Sequence, residues 1–228
     1  MNNIFKDFDS KYEPKTLNDI VFHTAQARQK MLNLTNGAFG FPSTGVNGIL
    51  LHGTYGTGKS ALAKILPQVF EVNNGGEDAL VTYVNVAQGG DNGATVIERI
   101  KSQTQVVPLV NAYHYFVLDE VDNLRSESMS SLKVAMNTGV NNSIFILTTN
   151  NLSKVEGGVI NRCVVVEFNA AASADWLPKV RGILADYGIT GIEDKLLLNI
   201  IEPCEGSARK ILMAIRMLIA ERLQKRAA

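Results

Sequence analysis

The stretch Gly53-Thr54-Tyr55-Gly56-Thr57-Gly58-Lys59-Ser60 fits the pattern G-x-x-x-x-G-K-[ST] at every fixed position. It follows the short apolar run Gly48-Ile49-Leu50-Leu51 and precedes a run of good helix formers that begins at Ala61. A loop of this kind turns backbone N–H groups toward the β- and γ-phosphates of a nucleotide, above the positive end of the helix dipole. We therefore predict that residues 53–61 bind ATP.

Four side chains of known chemistry lie in or after this loop. Lys59 is expected to reach the phosphate oxygens, and the Ser60 hydroxyl is expected to ligate Mg²⁺. A later apolar run ends in two carboxylates, Phe116-Val117-Leu118-Asp119-Glu120. Asp119 can hold Mg²⁺ through its water shell, and Glu120 can polarise the water that attacks the γ-phosphate. Metal and base together predict hydrolysis rather than binding alone.

A polar residue ends the next apolar run, Leu147-Thr148-Thr149-Asn150. In a parallel sheet this strand end emerges beside the acidic pair, so Asn150 is a candidate to contact the attacking water or the γ-phosphate. The pair Asn150-Asn151 also suits a tight bend, and a turn remains the alternative interpretation.

Five apolar runs without polar alternation predict an α/β fold with a five-stranded parallel sheet covered on both faces. The predicted strands are 48–52, 80–86, 114–118, 143–148 and 163–168. A helix is predicted at 24–36, before the first strand, and others at 94–104 and 128–137, between later strands. Residues 1–20 are expected to form an extended lead-in, and residues 88–93 a loop. After a small-residue hinge, three helices are predicted at 173–187, 192–202 and 206–226. These patterns predict a nucleotide-binding domain over 1–170 and a helical lid over 171–228.

Composition restricts the possible partners and compartment. The 22 basic and 22 acidic residues cancel, so any nucleic-acid binding must rest on a local patch. Two cysteines, Cys163 and Cys204, are too few for a disulfide framework or a four-ligand zinc site. No apolar stretch approaches about 18 residues, and residues 1–30 contain no apolar targeting segment. We expect a cytoplasmic protein with no membrane partner.

Taken together, the phosphate loop, the acidic pair, Asn150, Asn161-Arg162-Cys163 and Gly206-Ser207-Ala208-Arg209 resemble an AAA+ ATPase. More narrowly, they resemble the small ATPase subunits of sliding-clamp loaders. The resemblance implies an AAA+ P-loop NTPase domain with a three-helix lid. It also implies that Arg162 is an arginine finger in a neighbouring subunit's site and that Arg209 contacts the γ-phosphate of its own subunit. A planar, always-charged guanidinium can bind two oxygens of the transferring phosphoryl group.

The lead-in Lys11-Tyr12-Glu13-Pro14 resembles the Lys-Tyr-Arg-Pro segment of the same family, which packs against adenine. By this resemblance the adenine contacts are Tyr12, Pro14, Ile20 and Val21. Three positions depart from the family: Glu13 replaces Arg, Asn161 replaces Ser, and residues 87–91 replace a Ser-Asp-Asp-Arg-like stretch. Because no helical collar follows the lid, phage clamp-loader subunits and compact helicase or transposition ATPases are expected relatives.

The resemblance implies an oligomeric ATPase, self-associated or built with homologous subunits, that loads or remodels a protein client such as a sliding clamp or helicase on DNA. A helicase loader or a transposition or defence ATPase that polymerises on DNA is one alternative. A regulatory switch that acts on a protein client without DNA is another. Candidate DNA contacts are Arg99, Lys101, Arg125 and Lys133, although solvated helix faces explain these charges equally well.

Overall fold

The computed structural model describes residues 5–43, 45–86 and 93–227 and divides into two compact units. The α/β unit comprises Ala25–Gly53 and Lys59–Phe168, and the helical unit comprises Met1–Thr24, Thr54–Gly58 and Asn169–Ala228. The predicted domain boundary after residue 170 stays a prediction. By packing, the described part of the lead-in, from residue 5 onward, groups with the helical unit.

Five parallel strands form one sheet in the spatial order β2-β3-β4-β1-β5, which confirms the predicted fold class. The strands are β1 (Gly48–His52), β2 (Val81–Asn85), β3 (His114–Asp119), β4 (Ser143–Thr149) and β5 (Cys163–Glu167). Most of the predicted loop 88–93, and the departure at 87–91, lie outside the residues that the structure describes.

Helices are numbered along the whole chain. They are α1 (Phe8–Tyr12), α2 (Ala25–Thr35), α3 (Lys59–Asn73), α4 (Ala94–Thr104), α5 (Ser126–Thr138), α6 (Gly157–Ile160), α7 (Leu177–Asp186), α8 (Asp194–Ile201) and α9 (Ala208–Ala227). The last three are the predicted lid helices, with bounds that differ by a few residues. In the described residues, no helix is long and apolar enough to cross a membrane.

The inner strands β1, β3 and β4 are almost wholly buried, as expected for a parallel sheet covered on both faces. Strand β2 is different, because Val81 and Tyr83 are each about two-fifths exposed, at 40% and 41%. The sequence predicts burial here, and this prediction is wrong. Strand β2 lies at the outer edge of the sheet, where fewer elements cover it.

Helix α5 presents two different faces. Its apolar residues Met129, Leu132 and Met136 are spaced three and four apart, so they share one side of the helix and join the core with Leu118 and Leu147 of the sheet. The other face is polar. The helix therefore packs firmly on the sheet while offering polar side chains to other segments of the unit.

The strand register sets the carboxyl ends of the strands level with one another. Leu51 of β1 lies opposite Thr148 of β4, and Asn85 of β2 lies opposite Asp119 of β3. Ligands of open parallel sheets bind outside these ends. The sheet thus brings the ends of four separate segments to one edge.

The lead-in contains a short helix, α1, and a 3₁₀ turn at Leu17–Asp19, so the prediction of an extended segment is wrong. Phe8 is 2% exposed and lies in the core of the helical unit with Trp176 and Ile215. Burial of this ring stabilises the helical turn that carries it, by about 2 kcal/mol on general scales. The contact spans well over a hundred residues of sequence, which is why local composition did not reveal it.

Candidate functional site

The phosphate loop has the backbone that its glycines permit. Gly53, Gly56 and Gly58 have φ angles of 147°, 76° and 108°, a region that side-chain-bearing residues rarely adopt. Within the loop the Thr57 hydroxyl donates to the Thr54 carbonyl at 3.0 Å. Helix α3 begins directly afterwards, at Lys59.

Lys59 is 6% exposed, and its ammonium donates to the Gly53 carbonyl at 3.0 Å. Burial lowers the pKa of Lys59, and the carboxylates of Asp119, Asp122 and Glu120 act in the opposite direction. Because burial disfavours the charged ammonium, a phosphate group placed against Lys59 would stabilise its charged form.

Asp119 ends β3 and is 6% exposed. Its carboxylate accepts hydrogen bonds from Ser60 Oγ at 2.8 Å, Thr148 Oγ1 at 2.5 Å and Tyr83 Oη at 3.0 Å. The first of these contacts brings the two predicted metal ligands together. Carboxylate and hydroxyl oxygens are the donors that Mg²⁺ prefers, so Ser60 and Asp119 fit that ion.

Glu120 has a left-handed backbone, with φ 59° and ψ 51°. This conformation costs an ordinary residue about 1 kcal/mol or more. The Glu120 N–H donates to Thr148 Oγ1 at 3.0 Å, which helps to hold the turn. Strain at a residue with a predicted chemical role is a recognised feature of active sites.

Two residues that the sequence analysis passed over contact the predicted metal ligand. Thr148 joins Asp119 to the Glu120 backbone, and Tyr83 reaches Asp119 from the outer strand. Burial raises the pKa of Tyr83, with a further effect from the Asp119 charge. Thr148 could have been suspected, because a hydroxyl near the end of an apolar strand needs a partner. Tyr83 gave no such signal.

Asn150 directly follows β4 at the same sheet edge and is half-buried. The bend after it is built by other side chains. Thr149 Oγ1 accepts from the Asn151 N–H at 2.9 Å, and Asn151 Oδ1 accepts from the Ser153 N–H at 3.1 Å. Asn150 itself lies in this bend, so the alternative of a turn residue stays open, and its chemical role stays a prediction.

Arg162 lies between α6 and β5. Its Nε donates to Asn137 Oδ1 at 2.5 Å, and its Nη1 donates to the Gly158 carbonyl at 2.5 Å. Both partners belong to the same unit. The next residue, Cys163, is half-buried, and desolvation raises the pKa of its thiol to about 12, which does not suit a nucleophile.

The remaining predicted contacts lie in the helical unit. Arg209 is exposed in the first turn of α9. A β-carbon on Gly56 would lie 2.5 Å from Ser207 Oγ, so the tip of the phosphate loop passes close to the start of this helix. Tyr12 donates from Oη to Asp186 at 2.9 Å, while Pro14, Ile20 and Val21 are half-buried. Their roles toward a nucleotide stay predictions.

The phosphate loop, the Ser60–Asp119 pair and the parallel sheet define a nucleotide-binding P-loop protein. Residues 49–170 match the model of the family described as "ATPase family associated with various cellular activities (AAA)", and the chain belongs to that family. The predicted AAA+ membership is confirmed.

Individual relatives show a more specific similarity within this family. The chain is 26% identical over 212 residues to replication factor C small subunit 1 of Pyrobaculum arsenaticum, covering 92% of this chain and 61% of that protein. It is 26% identical over 207 residues to the replication factor C small subunit of Thermofilum pendens, covering 90% of this chain and 60% of the relative. The chain therefore spans about three fifths of the length of these relatives.

Solved structures show the same fold. The Thermotoga maritima RuvB Holliday junction branch migration motor superposes with a TM-score of 0.66 at 15% identity, covering 90% of this chain and 64% of that one. C. elegans PCH-2 superposes with a TM-score of 0.62 at 16% identity, covering 98% of this chain and 72% of that one. At such identities the likeness concerns the fold alone.

Proposed function

We propose that this chain is an oligomeric, ATP-hydrolysing subunit that couples ATP to the loading or remodelling of a protein on DNA, as a clamp loader does. The observation that carries the proposal is the similarity to replication factor C small subunits, which extends over 92% of the chain. It includes the helical unit as well as the family-defining residues 49–170.

In the proposed reaction, the phosphate-loop backbone and Lys59 bind the phosphates, and Glu120 orients and deprotonates the attacking water. Ser60 and Asp119 would hold Mg²⁺, which neutralises developing charge on the phosphoryl oxygens when bound. Arg162 is proposed to act in the site of a neighbouring subunit, and Arg209 in its own. Thr148 would keep Asp119 and the Glu120 backbone in fixed relation.

A protein client is supported by an exposed aliphatic patch on the α/β unit. Its members are Leu80, Val106, Val107, Leu109 and Val110, with exposures from 57% to 99%. Asn111 holds the two segments together, since it accepts from the Leu80 N–H at 2.9 Å and donates to the Asp78 carbonyl at 2.7 Å. Clustered exposed aliphatic side chains are typical of protein contacts.

The basic residues suggested for DNA are not equivalent. Lys133 forms an ion pair with Glu156, and Lys101 lies 3.6 Å from Glu98. Arg99 and Arg125 are exposed, whereas Lys101 and Lys133 are half-buried, and this greater exposure makes the two arginines the stronger candidates among the described residues. With zero net charge overall, DNA binding is expected to depend strongly on a few such contacts and on salt.

The proposal is tested by ATP turnover per subunit over a range of protein concentrations, with and without primed DNA. We expect turnover to rise with concentration, because the finger comes from a neighbour, and to rise again with DNA. Filaments on duplex DNA would favour a polymerising helicase loader or transposition ATPase instead. Turnover stimulated by a protein client and indifferent to DNA would favour a regulatory switch.

The shared site has its own test. Arg162→Ala should keep its ATP affinity and lose about 10³-fold in turnover. When it is mixed with Lys59→Ala, some interfaces pair an intact phosphate loop with an intact finger, and turnover should partly recover. An absence of recovery at every mixing ratio would exclude a role in trans.

A further inference from the structure

Hydrogen bonds and an ion pair join the polar face of α5 to the segment that carries Arg162. Ser130, Lys133 and Asn137 are spaced three and four residues apart, so they line one side of the helix. Ser130 Oγ donates to Glu156 Oε2 at 3.3 Å, Lys133 pairs with the same carboxylate, and Asn137 binds Arg162. One helix face therefore holds both ends of the short segment 156–162.

The contacts of Ser130 and Lys133 with Glu156 hold the backbone of this segment. The Glu156 carbonyl accepts from the N–H groups of Val159 and Ile160 at 2.9 and 3.1 Å, so Glu156 also starts α6. A β-carbon on Gly158 would lie 2.5 Å from Lys133 Cδ, which shows how closely α6 approaches α5. The path of the chain toward Arg162 is thereby set by α5.

The hydrogen bond to Asn137 holds the side chain of Arg162. A guanidinium is planar and carries its five N–H donors in fixed directions. Asn137 Oδ1 takes the Nε donor and the Gly158 carbonyl takes a donor of Nη1. Two bonds to different nitrogens determine the plane of the group, and neither uses Nη2.

We propose that Asn137 is a positioning residue for Arg162, which holds the guanidinium so that its Nη2 side can meet a phosphoryl group bound by a neighbouring subunit. This inference rests on the proposed function of Arg162 as a finger in trans. Precise placement matters for such a group, because a displacement of about 1 Å can cost about 10²-fold in rate.

The test is a double-mutant cycle of Asn137→Ala and Arg162→Ala in the full chain, with Thr138→Ala as the matched control. Thr138 is the exposed neighbour of Asn137, and its hydroxyl donates to the Val134 carbonyl of its own helix at 3.1 Å. We expect Asn137→Ala to lower kcat about tenfold with unchanged KM for ATP and unchanged thermal midpoint. In the Arg162→Ala background it should cause no further loss.

A mixing experiment separates positioning in trans from a defect within the mutant's own site. Asn137→Ala subunits mixed with Lys59→Ala subunits receive wild-type fingers, so turnover per Asn137→Ala subunit should exceed that of the variant alone. No gain would overturn the inference, as would an undiminished tenfold loss in the Arg162→Ala background.

The two proposals fail in different ways. Normal turnover in Arg162→Ala overturns the finger role itself and the inference with it. Low turnover in Arg162→Ala together with normal turnover in Asn137→Ala overturns the positioning role alone.

Discussion

Thr148 and Asp119 are joined across neighbouring strands by a hydrogen bond of 2.5 Å from hydroxyl to carboxylate. The same hydroxyl oxygen accepts the Glu120 N–H at 3.0 Å. Both predicted acids thus depend on a single side chain of β4. Since the hydroxyl is buried, replacing it affects both partners at once.

Thr148→Val should therefore destabilise the fold by about 2 kcal/mol and lower turnover about tenfold. Valine has nearly the same shape but leaves the Glu120 N–H and the Asp119 carboxylate short of a partner. Thr148→Ser retains the hydroxyl and is the matched control, with smaller losses in both quantities. Urea unfolding and steady-state turnover measure the two effects, and equal behaviour of Val and Ser variants would contradict this explanation.

Glu120→Gln should bind ATP with nearly unchanged affinity and hydrolyse it at least about 10²-fold more slowly, because glutamine cannot accept the proton of the attacking water. Titration with ATP and single-turnover hydrolysis separate these steps. Glu127→Gln, which alters an exposed acid in the first turn of α5, serves as the control and should behave like the native chain. Native turnover in Glu120→Gln would show that another group is the base.

Glu71 supports the opposite end of the sheet. Its buried carboxylate accepts from Tyr115 Oη at 2.8 Å and from the Ala112 N–H at 3.1 Å. We expect Glu71→Ala to destabilise the protein by about 3 kcal/mol and Glu71→Gln by about 1 kcal/mol, because glutamine retains an acceptor oxygen.

Urea unfolding measures these differences, and Glu77→Ala, at an exposed acid nearby, should leave stability within about 0.5 kcal/mol of the native value. A loss in Glu71→Ala no larger than that of the control would show that the carboxylate contributes little.

The cysteines should be unreactive in the native protein. Burial raises the pKa of Cys163 to about 12 and raises that of Cys204 as well. At pH 8 the thiolate fraction of Cys163 is then about 10⁻⁴, against about a quarter for an unperturbed thiol. Because a raised pKa withholds the thiolate, alkylation should stay slow until the pH approaches 12 or the chain unfolds. Rapid labelling of one equivalent at pH 8 would contradict this expectation.

The sequence predicts best what depends on adjacent residues. The bounds of β1 and the course of the phosphate loop follow from a local pattern, since apolar residues and glycines act there through their own backbone preferences. Because parallel strands end at the same edge of a sheet, the sequence also predicts that Ser60 and Asp119 lie close together. That contact joins segments far apart in sequence, yet the fold class alone suffices to expect it.

Other features depend on which segments become neighbours. Helix α1 forms where Phe8 enters a core made mostly by the last third of the chain. The hydrogen bond from Tyr83 to Asp119 exists because β2 lies beside β3, and the bond from Asn137 to Arg162 because α5 lies against α6. No local pattern distinguishes Tyr83 or Asn137 from ordinary polar surface residues.

Because Glu120 has a left-handed backbone, a substitution that stabilises the fold at this position is expected to lower activity. Asparagine tolerates that conformation better than glutamate. Glu120→Asn would therefore relieve the strain and replace the carboxylate with the amide of a shorter side chain. If Glu120 is the base that we propose, selection of random variants for survival after heating should enrich inactive chains at this codon, whereas selection for activity should restore glutamate. A glutamate in such a turn is expected where the chemistry requires it, as we propose for Glu120, and a count of stabilising contacts would not predict it.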